Sequence, residues 1–366
     1  MTAGFHAPLP PSRTGVADYA AALLKALRCL GCVKPGATEA DVHLYHLGNN
    51  QLHRRIHEKA LARPGVAVLH DAVLMHFHLG WLSRAAFVEE FAYNYGEWAH
   101  DLAADLWEGR ARSAQDPRYF QYPMLRRIAE RSRALVVHNP AAARMATAQA
   151  PAARIVEIPH LFAPPELPGL ADAERFRQRL GLSGGTFLFG VFGHLRESKR
   201  LLAVLRALQV VRQAGVNAAL LVSGDFASTD LERAAAPWLD APGILRLPYA
   251  SERDFWLRAS AADACINLRY PAAGETSGIT IRLMGIGKPV IMSAGEETAC
   301  FPEGACLKVD PGPGEAEMLT QYMLWLATSR EAARGIGARA AAHIRAHHAL
   351  DSVARQYWGL LSACCE

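Results

Sequence analysis

A lone carboxylate, two hydroxyls and two glycines stand together in Gly274-Glu275-Thr276-Ser277-Gly278, ahead of a short apolar-periodic run that stops at Gly287. If that run is a helix, Ser277 and Gly278 carry its first free N–H groups. Those donors and the helix dipole suit a phosphate or diphosphate. Glu275 is repelled by phosphate alone and fits better with a ligand that also offers hydroxyls, such as a sugar phosphate. The plainer alternative is ordinary capping with a solvent-facing acid. A second candidate is Gly193-His194-Leu195-Arg196-Glu197-Ser198-Lys199-Arg200, between a strand-like and a helix-like run. Gly193 lets a ligand approach the backbone, and Arg196 and Lys199 add positive charge. The GxxxxGK(S/T) spacing of a P-loop is absent. The turn Pro10-Pro11-Ser12-Arg13-Thr14-Gly15 puts a glycine at a helix mouth and is a third backbone anion site. His70-Asp71 follows an apolar strand and is a hydrogen-bonding candidate. A metal site from His70, His76 and His78 is disfavoured, because helical residues two apart do not share a face. His138-Asn139-Pro140 reads as a turn and helix start.

Strand and helix patterns alternate along the chain, as in parallel α/β layers. Helical spacing covers 15–30, with Val16, Tyr19, Leu23, Leu24 and Leu27 on one face. Short strands are expected at 41–47, 65–69, 134–137 and 154–158, each followed by polar residues, and open α/β sheets bind ligands at that edge. The proline-rich run 159–169 is the best linker. Beyond it the pattern restarts with strands at 186–192, 218–223, 244–247, 264–268, 289–292 and 305–309. An amphipathic helix at 200–214 carries Leu201, Leu202, Leu205, Leu208 and Val211 on one side. A separate helix is expected at 350–362.

At 366 residues, with 51% apolar and 20% charged, the chain reads as a soluble globular protein of about two domains. The N-terminal residues lack the apolar core of a signal peptide, and no run reaches the roughly 18 apolar residues of a membrane span. Seven scattered cysteines argue for free thiols in a reducing cytoplasm, and the CxxC of Cys29 and Cys32 has no second pair to complete a zinc site. Net charge is +4, mostly from arginine. Arg110, Arg112, Arg118, Arg126, Arg127, Arg131 and Arg133 form a candidate peripheral contact with anionic lipid at the inner face of a membrane, or a solvated helix face. No aromatic residues interleave as in a nucleic-acid platform, so that partner is not expected.

In order along the chain, four stretches resemble the family 4 retaining glycosyltransferases of GT-B fold. They are Pro8 to Tyr19, Val68-Leu69-His70-Asp71, Phe192-Gly193 to Lys199-Arg200, and Gly274 to Gly278 with Gly287-Lys288-Pro289-Val290-Ile291. The segment LYHLGN, running into the Gly48–Asn50 turn, is similar to the strand-end segment of a bacterial subgroup. The resemblance implies an α/β architecture of two Rossmann-like domains facing a central cleft. Residues 1–165 would form the acceptor side and 170–347 the nucleotide-sugar side, with a C-terminal helix at about 348–366 crossing back to the first domain. It implies retaining transfer of a sugar from a nucleotide-diphosphate donor to a glycan, lipid-linked or small-molecule acceptor, in polysaccharide or glycoconjugate biosynthesis. Metal and other cofactors are not expected.

By the same resemblance, His70, Glu275 and Lys199 are the catalytic set. His70 matches the histidine that hydrogen-bonds the transferred sugar, and Glu275 binds the donor sugar's hydroxyls. Lys199, Arg196, Gly193 and the N–H groups around Thr276, Ser277 and Gly278 meet the diphosphate, with Gly15 beside it. The nucleobase falls near Leu247-Pro248-Tyr249. Two departures stand out. Many members place a ribose-binding glutamate further along the helix after Glu275, where this chain has Arg282 and Leu283. Many have arginine directly after the loop glycine, where this chain has His194. Two other readings stay open: a GT-B nucleotide-sugar epimerase, and a non-catalytic nucleotide-sugar-binding or partner subunit.

Overall fold

The computed structural model describes residues 1–12 and 14–365. Arg13, in the expected N-terminal anion turn, lies outside the described residues. The chain divides into two compact units: Met1–Ala163 with Pro271–Gly278 and His348–Glu366, and Pro164–Tyr270 with Ile279–His347. The boundary expected at 165–170 therefore falls slightly earlier, within the proline-rich run. The segment Pro271–Gly278, expected with the second unit, groups with the first.

The first unit holds a six-stranded parallel sheet of β1 (Thr2–His6), β2 (Cys32–Pro35), β3 (Val42–Leu47), β4 (Val66–Leu69), β5 (Ala134–Val137) and β6 (Ile155–Glu157), in the order β2-β1-β3-β4-β5-β6. β4 and β5 are buried at every position. This is why they read as continuous apolar runs: helices cover both faces of a parallel sheet. β1 and β2 carry no such run, so the sequence pattern passes over them. The helix Gly15–Leu30 buries Tyr19, Leu23, Leu24 and Leu27, while Val16 is only half-buried. The last helix, Leu350–Ala363, packs on it within the same core, and Tyr19 Oη meets Tyr357 Oη at 2.9 Å. Cys29 lies in the last turn of the first helix and Cys32 opens β2, both exposed as free thiols.

Between β4 and β5 the helices Arg84–Tyr95 and His100–Gly109 enclose an aromatic cluster that includes Phe87, Phe91 and Tyr119, and the helix Arg126–Arg131 buries Ile128 and Ala129 in a neighbouring core. The arginine-rich stretch lies here, and its charge is partly answered from within. Arg118 pairs with Asp105 and Asp116, Arg126 with Glu130, and Arg127 with Glu90, while Arg110 stacks over Trp107. No described helix is long and apolar enough to cross a membrane.

The second unit repeats the architecture with β7 (Phe187–Phe192), β8 (Ala218–Ser223), β9 (Ile244–Leu247), β10 (Ala264–Asn267), β11 (Val290–Ser293) and β12 (Leu307–Val309), all parallel, in the order β12-β11-β10-β7-β8-β9. The helix Leu201–Gln213 buries Leu201, Val204, Leu205, Ala207, Leu208 and Val211 on this sheet, with Leu202 half-buried at the edge of the stripe. In each sheet the winding reverses once, at β1/β3 and at β7/β10. Connections leave in opposite directions there, which opens a crevice at the strand carboxyl ends.

Candidate active site

In the second unit the switch-point loop begins at Gly193, whose φ of +84° is natural only to glycine. A side chain there would also strike Ile279 and sit 3.1 Å from the Lys199 ammonium. Glu197–Lys199 make one 3₁₀ turn, and Arg200 follows in left-handed geometry, held by Glu315 at 2.7 Å. This turn folds Lys199 inward. Its side chain is 5% exposed, and its Nζ donates to the carbonyl of Phe192, the last residue of β7. Burial pushes the ammonium well below its ordinary pKa, and the guanidiniums of Arg269 and Arg196 push it further. Arg196 itself is exposed. Arg269, which the sequence reading passes over, sits just beyond β10.

Arg282, the departure at the expected ribose position, is occupied within the second unit. Its guanidinium pairs with Glu252 at 2.6 Å and lies over the rings of Phe255 and Trp256 at 4.1 and 4.4 Å. It is therefore a packed cation that ties its helix to Glu252–Ala261. A cavity of about 490 Å³ in the same unit lies at the other edge of the sheet, beside the amino ends of β7 and β11. Two of its cations are engaged in structure: half-buried Lys288 Nζ donates to Ser260 O at 2.7 Å and Ala262 O at 2.6 Å, and buried Arg177 donates to Ala261 O at 2.8 Å. They satisfy carbonyls at the end of one helix, an ordinary C-cap.

The loop Pro271–Gly278 is held by the first unit. Ala72 N donates to Ala273 O at 3.1 Å, and the Asn139 amide donates to Gly274 O and Thr276 Oγ1, both at 2.9 Å. Gly274 has a φ of +69°, and a side chain there would meet Ala72 Cβ at 2.6 Å. Glu275 is half-buried, and its Oε2 accepts from Ala273 N at 2.8 Å, so the carboxylate is braced by its own turn. The Thr276 hydroxyl oxygen accepts from Asn139 and so anchors the loop. The helix Gly278–Gly285 starts where the motif predicts, with Ser277 immediately before it. Asn139 also caps the helix Pro140–Gln149 by accepting from Ala142 N at 2.9 Å. Only that second role could be read from Asn139-Pro140. Asn139→Ala is expected to lower the stability of the first unit by about 2–3 kcal/mol, the loss of a cap and a buried bond pair, measured as a shift in urea midpoint.

His70 sits at the carboxyl end of β4, buried, in a cluster of rings. Its Nε2 lies 3.0 Å from His46 Nδ1, Tyr19 meets it edge-on, and His138 lies 5.2 Å away between ring centres. Burial, then the neighbouring His138 and His46, hold its pKa well below the ordinary value, so the ring is neutral. The tautomer follows from the partners. His46 Nε2 is buried with no partner, and an orphaned lone pair is less costly than an orphaned N–H. The assignment that leaves no buried N–H orphaned puts the proton on His46 Nδ1, donated to His70 Nε2. In that assignment His70 carries its own proton on Nδ1. His46, which sequence reading missed, is the side chain in hydrogen-bond contact with His70. His138 is fixed similarly, its Nδ1 donating to Ile158 O at 2.9 Å. His76 is half-buried beside Asn49 while His78 is fully buried, so the two do not converge. Among the described residues no His, Cys, Asp or Glu group is arranged to hold a metal ion.

At the N-terminal turn, Gly15 is exposed at the first position of its helix, with open space where a side chain would stand and Thr14 as the cap. Gly193, Lys199, Arg196 and Arg282 belong to the second unit, and Gly15, His70, Glu275, Thr276, Ser277 and Gly278 to the first.

Two doubly wound units of six parallel strands, with the final helix returned to the first unit, constitute the GT-B fold of nucleotide-sugar glycosyltransferases. The chain is similar to sucrose-phosphate synthase from Thermosynechococcus elongatus, with a TM-score of 0.69 and 15% identity over 99% of this chain and 98% of that one. It is similar to HepE from Anabaena in complex with UDP and glucose, with a TM-score of 0.68 and 14% identity over 99% and 100% of the two chains. WaaG, a glycosyltransferase involved in lipopolysaccharide biosynthesis, aligns with a TM-score of 0.61 and 13% identity over 99% of both chains. At these identities the likeness is one of fold. No protein-family description and no curated protein matches the sequence.

Proposed function

We propose that this protein is a retaining glycosyltransferase of family 4 type. It moves a sugar from a nucleoside-diphosphate donor to a hydroxyl on a glycan, lipid-linked or small-molecule acceptor, in glycoconjugate or polysaccharide synthesis. The observation that carries this reading is Lys199, a cation buried at the switch point of a doubly wound unit with further cations around it. Such an arrangement is costly until an anion arrives. HepE, of like fold, has been solved with UDP and with UDP-glucose. In this reading Lys199 and Arg196 neutralise the departing diphosphate and the N–H groups of Ser277 and Gly278 assist, with Gly15 beside it. Glu275 holds the sugar's hydroxyls, and His70 donates from Nδ1 to the transferred sugar. Electrostatic stabilisation of the leaving group does the work a metal would otherwise do, and position replaces a protein nucleophile. The free state of the cysteines suits a reducing cytoplasm.

A thermal-shift screen of UDP, GDP, ADP and their sugar conjugates tests donor binding, because a ligand selective for the folded form raises the midpoint. The cognate conjugate should also support transfer in the presence of EDTA. Glu275→Gln is expected to lower transfer by about 10²–10³-fold with the fold intact. Full activity in this variant, or no shift with any nucleotide, would remove the proposal.

A further inference from the structure

We propose that Arg269 is a third cation of the diphosphate site, its guanidinium meeting the leaving phosphate beside Lys199. This rests on the donor reading above and adds to it a residue outside both anion loops. Three features of the second unit converge on Arg269. First, β7 and β10 pair in parallel with Ala264 opposite Phe189 and Cys265 opposite Gly190. That register brings Asn267 level with Phe192, so the segments after both strands leave the sheet at the same height, on the two sides of the switch-point crevice.

Second, the backbone around Arg269 is pinned from both flanks. Tyr270 N donates to Ser198 O at 2.8 Å, which joins the segment to the residue before Lys199. Arg269 N accepts the reach of a neighbouring strand by donating to Ser293 Oγ, the end of β11, at 2.9 Å. The side chain is half-buried, and its backbone needs no further ordering when a ligand binds. Third, Arg269 is the charged neighbour acting most strongly on Lys199, ahead of Arg196, although Arg196 belongs to the same loop as Lys199. Two cations at adjacent strand ends repel each other, and a bound diphosphate converts that repulsion into two charge-assisted contacts. Arginine's planar fork can meet two phosphate oxygens at once, which the lysine cannot.

The test compares wild type, Arg269→Gln and Arg269→Lys by calorimetric titration with UDP, GDP and ADP, each against its bare nucleoside. The expected result is a rise of roughly 10- to 100-fold in Kd for the cognate nucleoside diphosphate in Arg269→Gln. Affinity for the nucleoside should be unchanged, and Arg269→Lys should recover part of the loss. The same loss for nucleoside and diphosphate would mark Arg269 as structural and overturn the inference. So would unaltered diphosphate binding in Arg269→Gln by a protein whose wild type binds it, which leaves the donor reading standing. A wild type that binds none of the three diphosphates removes the donor reading, and this inference with it. If Arg269→Gln unfolds, Arg269→Lys decides: full wild-type affinity with a fork-less cation overturns the bidentate role.

Discussion

Lowering the pH from 7 to 5 is expected to unfold the first unit while the second remains folded. Burial holds His46 and His78 neutral down to about 3, and His57 and His138 down to about 4, against an ordinary 6.5. Between those values and 6.5 the unfolded chain binds protons that the folded unit refuses. The stability contributed by keeping these rings neutral is therefore complete near pH 7 and lost as the pH falls from about 6.5 toward 4. At pH 5 each ring costs about 2 kcal/mol, so the four together cost about 8 kcal/mol, comparable with the roughly 5–15 kcal/mol that holds a domain folded. His6, His43, His53 and His70 shift in the same direction and add to the effect. The second unit contains His194, His343 and His347, none of them buried. Hydrogen exchange read by mass spectrometry separates the units. Protection should collapse across Val66–Leu69 and Ala134–Val137 near pH 5 and persist across Phe187–Phe192 and Ala218–Ser223. Retention in both sheets down to pH 4 would contradict the assignment of neutral, buried histidines.

Lys199→Met is expected to stabilise the second unit and to lower transfer by about 10²–10³-fold, the usual loss when one donor to developing charge is removed. The two effects share one cause. A buried ammonium facing Arg269 and Arg196 is unfavourable in the free protein, and an apolar chain of similar length removes both desolvation and repulsion. The Phe192 carbonyl loses its bond, at about 1 kcal/mol, which offsets part of that gain, and the remainder is expected as a higher midpoint of thermal unfolding. A pH series isolates the residue. Because the folded pKa lies below 10.5, the unfolded chain binds the extra proton in that window, and wild-type stability rises as the pH approaches 10.5. The difference between wild type and Lys199→Met should shrink over the same range. A variant that loses both stability and activity would indicate that Lys199 is a structural prop for its loop.

Much of the architecture was legible because apolar periodicity is a local property. The helix at 15–30, the core strands β4, β5, β7 and β8 and the last helix fall within a residue or two of their expected places. β1 was not legible: Ala3 and Phe5 are buried, but Gly4 and His6 between them interrupt any run. The aromatic cluster around Phe87 and Phe91 was also unread, because its short helices are stabilised by one another rather than by a long amphipathic stripe. The arginine-rich stretch was misleading in a specific way. Sequence shows the cations crowding, but not that Glu90, Asp105, Asp116 and Glu130 come back to meet several of them.

For the site, sequence alone determined the residue types: a glycine able to take positive φ at 193, a lysine a short turn later, a carboxylate two residues before a helix mouth, and a histidine at a strand end. These follow from local backbone geometry and the chemistry of single side chains. Only the tertiary structure decided which groups act together. His46 meets His70 in a hydrogen bond from the adjacent strand, Asn139 holds the Glu275 loop from 135 residues away along the chain, and Arg269 reaches the neighbourhood of Lys199 because β10 pairs with β7. Tertiary structure also shows the Thr276 hydroxyl accepting from Asn139 and Arg282 paired with Glu252, partners that their sequence neighbourhoods do not display. Electrostatic and hydrogen-bonding roles depend on distance in space, and parallel-sheet pairing sets that distance between residues whose separation in sequence carries no sign of it.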